Sequence, residues 1–147
     1  CTQLKKDLIK LPIPAPLFHD GIVPVDAGRF SMSPIHVKDV ASILLGSIDS
    51  EDTILKIFEL GGPHTLGWKK IIKTIANGSG KNKWTIPAPA IFVRSVAAFF
   101  DRFSWFPITR DQLTMLMEGN TCEPSELFTK FEVGPKTFTP EELSYLK

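Results

Sequence analysis

The stretch Met32-Ser-Pro-Ile-His-Val-Lys-Asp-Val-Ala-Ser-Ile-Leu-Leu45, with Lys56-Ile-Phe-Glu-Leu-Gly-Gly-Pro63 behind it, decides how this chain is read. The first segment predicts an extended run turning into a helix over 38–48. Val40, Ala41, Leu44, Leu45 and Ile48 form one apolar stripe at the 3.6-residue period. The second segment predicts a strand over 56–61. Ile57, Phe58 and Leu60 sit in a short run closed by Gly61-Gly62-Pro63, a hard turn. Extended run, helix and strand make most of a crossover unit, and such a strand needs sheet neighbours. The rest of the chain offers few of them.

Upstream, Leu4, Leu8 and Leu11 share one face and predict the end of a helix over 3–11. Pro12, Pro14 and Pro16 then predict an extended linker. Ile22 to Val25, the Asp26-Ala27-Gly28 turn and Arg29 to Met32 predict a small hairpin. Downstream, Trp68, Ile71, Ile72, Ile75 and Ala76 predict an amphipathic helix ended by Asn77-Gly78 in a left-handed cap. Lys83 to Pro87 is at best a short strand. Pro89 to Phe106 is the most apolar segment, its only charges being Arg94, Asp101 and Arg102. A membrane-surface helix should carry a basic polar face, so this one reads as core or partner-facing rather than lying on a bilayer. Thr109-Arg-Asp-Gln112 and Thr139-Pro-Glu-Glu142 are capping boxes that predict helix starts, with a further short helix within Glu123 to Phe131. The fold class is α/β, mostly helical with few short strands, in one unit spanning 1–147.

Composition narrows the function. The 147 residues are 43% hydrophobic and 22% charged with a formal net charge of +1, which makes nucleic acid a poor partner. No apolar run reaches the roughly 18 residues of a membrane span. Lys5, Lys6, Asp7 and Lys10 interrupt what would otherwise be a signal-like N-terminus. Two cysteines, Cys1 and Cys122, are too few for a disulfide framework. They read as free thiols in a reducing compartment, the cytoplasm or an organelle matrix. Cys1 with no Met ahead of it is the expectation for a piece of a longer protein.

Most searches for chemistry return nothing. The glycine pattern G-x-G-x-x-G for a dinucleotide pyrophosphate is absent. Gly78-Ser-Gly80-Lys81 lacks the remaining positions of a phosphate loop and reads as a helix-ending turn. His19, His36 and His64 fit no zinc spacing. His36 and Asp39 could pair as base and carboxylate, but Asp39 in a first helical turn also serves simply to offset the helix dipole. Asn77-Gly78-Ser79 matches a glycosylation acceptor with no secretory signal to give it meaning. Cys122 has no cationic partner in sequence, and Glu141-Glu142 is a helix start rather than an acid–base pair.

Pro34-Ile-His-Val-Lys-Asp-Val-Ala41, Phe58-Glu-Leu-Gly-Gly-Pro63 and Thr109-Arg-Asp-Gln112, in that order, resemble the C-terminal half of an atypical short-chain dehydrogenase/reductase. That group belongs to the NAD-dependent epimerase/dehydratase superfamily, and the similarity is to the branch holding an accessory subunit of respiratory complex I. It runs from about residue 4 to 147. The resemblance implies an N-terminal Rossmann domain, absent from this chain, that carries the glycine-rich turn, a Tyr-x-x-x-Lys pair and bound NAD or NADP. It implies that this chain is the substrate-side lobe, with 56–61 returning to the Rossmann sheet and 38–48 as its crossover. No catalytic or cofactor-binding residue transfers, since Tyr145 is followed only by Leu146 and Lys147. In sugar-nucleotide members an arginine four or five residues before the histidine grips a diphosphate. Ser31 and Met32 stand there, with Arg29 nearest and Arg94 or Arg110 as substitutes. Arg29, Met32 and His36 are therefore the substrate-pocket candidates, with no metal site.

Two functions follow as expectations. One is the substrate-binding part of an NAD(P)-dependent epimerase/dehydratase or reductase-like protein, inactive alone and binding no cofactor itself. Its pocket would form between the absent half and the segments 29–36 and 84–106. Its partners would be that half, a small-molecule substrate and, through exposed apolar edges, a second copy of itself. The other is a non-catalytic structural or regulatory subunit with the same fold. A lipid- or quinone-handling protein with 89–106 on a membrane is a third possibility.

Overall fold

In the computed structural model, residues 1–10, 12, 14–19, 23–24, 27–100, 110–123 and 126–146 are described. They form a small α/β unit. Its helices are α1 (Thr2–Leu4), α2 (Val37–Ile48), α3 (Trp68–Gly78), α4 (Ala90–Phe100), α5 (Arg110–Glu118) and α6 (Glu126–Lys130). Its strands are β1 (Ala15–His19), β2 (Ser31–Met32), β3 (Leu66–Gly67) and β4 (Thr85–Pro89). A π-helical stretch, Lys5–Ile9, continues α1. β1 pairs in parallel with β4, Ala15 opposite Thr85 through His19 opposite Pro89, and β2 pairs antiparallel with β3.

α3 is the centre of gravity. Trp68, Ile71, Ile72, Ile75 and Ala76 recur at helical spacing and all are buried, meeting Ile9, Ala15, Leu17, Leu66, Leu143 and Leu146 in the main core. Its outer face is Lys69, Lys70 and Lys73, all exposed. Trp68 Nε1 donates to the Pro16 carbonyl at 3.2 Å, fixing β1 to the helix. The Phe30 ring stands 5.7 Å from that of Trp68. The helix ends two residues later than Asn77-Gly78 would have it. Gly80, at φ 68, takes the left-handed position. Lys81 N–H donates to Ala76 at 2.9 Å and Gly80 N–H to Asn77 at 2.9 Å, the paired bonds of a Schellman cap. Gly78 stays inside the helix because the C-terminal tail crosses it: a Cβ there would lie 2.8 Å from Leu143 Cβ.

A smaller core holds Ile43, Leu127 and Phe128, with Ile35, Leu60, Phe131 and Val133 against it. The helix expected over 38–48 forms as α2, with Asp39 and Ile43 its buried residues, and Gly46 lets Phe131 approach so closely that a Cβ would lie 2.7 Å from the ring. Much of the apolar stripe read from its sequence faces solvent: Leu44, Leu45 and Ile48 are exposed, as are Val37 and Ala41.

Residues 56–61 form no strand. Ile57 is 97% exposed and Leu55, at φ 57, is 101% exposed. Among the described residues, no strand pairs with this run. The partner of Ser31-Met32 is Leu66-Gly67; of the predicted hairpin, residues 22, 25 and 26 lie outside the described residues. The proline segment is also more ordered than a linker. Pro16, Pro87 and Pro89 sit in strands that each have one partner, so a missing N–H can face outward without breaking the ladder. Of the apolar run 89–106, α4 covers 90–100, with Ile91 and Phe92 exposed rather than buried, and 101–109 lies outside the described residues. Thr139-Pro-Glu-Glu142 caps a turn instead of an α-helix: Glu142 N–H meets Thr139 Oγ1 at 3.5 Å, then a 3-10 turn, Ser144–Leu146, ends in the core.

Candidate functional site

The His-Val-Lys-Asp run builds the start of α2 and one wall of a cleft. His36 is the N-cap, its Nδ1 accepting from Lys38 N–H at 3.2 Å. That use fixes the ring's chemistry. When neutral, a histidine accepting at Nδ1 carries its proton on Nε2 and offers a donor there, not a base. Asp39, three residues on, turns inward, and its Oδ2 accepts the Lys136 backbone N–H at 2.7 Å. The carboxylate therefore ties the C-terminal tail to α2. The structure gives Asp39 that holding role in place of the base–carboxylate pairing with His36.

This tie holds the tail beside a cleft of about 580 Å³ between Cys1, residues 34–38 and the tail residues 136–138, 142, 143 and 145. Its floor is apolar, from Ile35, Phe138 and Leu143. Its rim carries His36, Lys38, Lys136, Thr137 and Tyr145. Lys136 Nζ is held 3.4 Å from Glu142, which neutralises one of the two lysines. A volume of this size, mostly apolar with a few polar groups at the edge, fits a small amphiphilic molecule. Among the described residues no cluster of His, Cys, Asp or Glu could hold a metal.

The three pocket candidates are not brought together. His36 lines the cleft. Met32 lies in β2, opposite Leu66, and packs on the main core. Arg29 is exposed in the loop before β2. The substitute Arg94 is half-buried on α4, and its Nε is buried without a hydrogen-bond partner; the side chain of Arg110 lies outside the described residues. The tail as a cleft wall was not read from sequence. The signal for it was Phe138 and Leu143, which an apolar-spacing search over 136–146 would have flagged as needing burial.

The glycine turn explains itself sterically. Gly62 N–H donates to Ser33 at 3.0 Å, and a side chain on either Gly61 or Gly62 would collide with Cys122 Sγ or the Pro34 carbonyl oxygen. Ser33 Oγ meets Thr65 Oγ1 at 3.1 Å and the Cys122 carbonyl at 3.2 Å, locking the three segments. Cys122 is half-buried in this joint, and neither it nor Cys1 is in a disulfide.

No protein-family model matches the chain, and no curated protein matches it. Among the described residues no helix is long and apolar enough to cross a membrane.

Proposed function

We propose that this chain is the substrate-side, C-terminal part of an NAD(P)-dependent epimerase/dehydratase or reductase-like protein, inactive by itself. The nicotinamide cofactor belongs on an N-terminal Rossmann half. The observation that carries this reading is the run Ile54 to Leu60. It has the composition of a buried strand, yet Ile54, Leu55 and Ile57 point into solvent beside an equally exposed apolar stripe on α2. Exposed apolar surface of this kind is what a sheet strand leaves when its neighbours are elsewhere. The order of the Ile-His-Val-Lys-Asp, Glu-Leu-Gly-Gly-Pro and Thr-Arg-Asp-Gln motifs supports the same reading. The cleft at His36 is then part of the substrate side, and the compartment is cytoplasm or an organelle matrix.

The test is a titration of the 147-residue chain with NADH and NADPH, followed by fluorescence. Neither should saturate. Tight, saturable binding would place the cofactor site here and overturn the assignment.

A second reading, a structural or regulatory subunit with the same fold, is favoured by one observation. Met32, where sugar-nucleotide enzymes of the resembling family carry an arginine, is packed against the core and not available to an anion. The coding sequence upstream separates the two. A glycine-rich turn with Tyr-x-x-x-Lys supports the enzyme; the turn without that pair supports the subunit.

A further inference from the structure

The cleft at the start of α2 has two chemically different parts. Its floor, from Ile35, Phe138 and Leu143, carries no polar side chain, and Val37 on the same wall is 74% exposed. Its rim carries two lysines, Lys38 and Lys136, against one carboxylate, Glu142. That carboxylate already faces Lys136 Nζ, with its two oxygens at 3.4 and 3.5 Å. Asp39 does not line the cleft; it is buried, with Oδ2 accepting the Lys136 backbone N–H at 2.7 Å. Among the described side chains that line the cleft, positive charge is therefore in excess.

The polar groups on the rim other than Glu142 can all donate. They are the two ammonium groups, the hydroxyls of Thr137 and Tyr145, and the His36 ring. Because His36 Nδ1 accepts from Lys38 N–H at 3.2 Å, a neutral ring has its proton on Nε2 and presents a donor there. These groups gather at the N-terminus of a 12-residue helix, where the backbone dipole adds partial positive charge. The complement to such a cleft is a molecule with an apolar body and one anionic end. A nucleotide fits less well. Among the described lining residues there is no arginine to fork a phosphate and no glycine to let one approach the backbone.

We propose that this cleft binds an anionic amphiphile, a carboxylate or phosphate head on an aliphatic body. The head accepts from His36 Nε2 and from the ammonium groups of Lys38 and Lys136, while the body covers Ile35, Phe138 and Leu143. The inference names a ligand class for the cleft and rests on its reading as part of the substrate side. The two fail separately. Saturable NADH binding would overturn the proposed function whatever the cleft holds, and an empty cleft leaves the cofactor titration as it stands.

The test is calorimetric titration of the 147-residue chain with octanoate, octyl phosphate, 1-octanol and octylamine, each below its micelle concentration. Octanoate or octyl phosphate should saturate at one site, and the tighter of the two identifies the head. Octanol should bind about tenfold more weakly and octylamine weaker still. Lys38→Gln should cost about tenfold, the worth of a hydrogen bond to a charged group. His36→Asn keeps a strong N-cap while removing the Nε2 donor, so it should weaken binding about fivefold with a melting temperature no lower than the parent's. Lys69→Gln with Lys70→Gln, on the outer face of α3, should leave binding unchanged. Methyl resonances of Ile35 and Leu143 should move on binding, and those of Leu44, Leu45 and Ile57 should not. Four results would overturn the proposal: no saturation by either anion, equal binding of octanol, equal losses from Lys38→Gln and the α3 pair, or methyl shifts confined to Leu44, Leu45 and Ile57.

Discussion

Replacing Gly62 by alanine tests the joint on which the small core hangs. The new Cβ would overlap the Pro34 carbonyl oxygen, lie 2.7 Å from its carbonyl carbon and 3.3 Å from Ile35 Cα. These are backbone atoms and cannot rotate away. The segment carrying them is pinned by Gly62 N–H to Ser33 at 3.0 Å and by Ser33 N–H to Asn120 at 2.9 Å. Ser33 Oγ adds its contact with Thr65 at 3.1 Å. Overpacking of this kind costs about 1–3 kcal/mol, and losing one pinning bond adds about 1 kcal/mol. Alanine returns about 0.4–1 kcal/mol by restricting the unfolded chain. The net loss is about 2 kcal/mol, which for a chain of this size lowers the melting temperature by about 8 °C. Thermal melts followed by circular dichroism read it directly. Gly134→Ala is the control, because its Cβ would meet nothing within 4 Å and should leave the melt unchanged or slightly raised. A Gly62→Ala protein melting with the parent would refute the steric argument.

Other perturbations probe other joints. Asp39→Ala removes a charged acceptor from the Lys136 N–H; it should cost about 2 kcal/mol and expose the tail beyond residue 135 to limited proteolysis, and an unchanged digestion pattern would argue against the tie. Glu132, exposed at φ 51 at the end of α6, should gain about 0.5–1 kcal/mol as glycine, because the left-handed strain exceeds the extra unfolded-state entropy; denaturant midpoints that fall instead would contradict this. The exposed stripe on α2 and the Ile54–Ile57 run should draw copies together as concentration rises, and Leu45→Glu with Ile57→Glu should return light-scattering masses to the monomer. A parent monomeric at every concentration would dismiss that expectation.

Where local pattern and tertiary demand agree, sequence and structure coincide. α3 is legible because its apolar positions repeat at helical spacing and all find the core. The place of Asp39 in the first turn of a helix was legible, while its tie to the Lys136 N–H was not. The α2 stripe is legible as one face, while periodicity alone does not say which face this unit covers, and here it is the one with Asp39, Ile43 and Gly46. Ile57 and Phe58 do not form the strand their composition predicts: β-propensity describes a fit to a pleated, half-buried surface, and among the described residues no such surface adjoins them. β1 escaped notice because prolines hide a strand that needs only one partner. Of the cleft, His36 came from the sequence only as a candidate for a different pocket, one between the absent half and the segments 29–36 and 84–106. The tail that completes the cleft depends on contacts between segments far apart in sequence.

Amide hydrogen exchange over residues 55–60 is the most direct probe of the idea that this run was shaped for a sheet held elsewhere. It should be followed in the 147-residue chain, diluted until light scattering reports a monomer, and in the same chain continued at its N-terminus by a Rossmann half. The amides of Ile57 to Leu60 should exchange at unstructured rates in the first sample and become strongly protected in the second. Strong protection in the dilute chain alone would mean that the run already has its neighbours, and the account would be wrong.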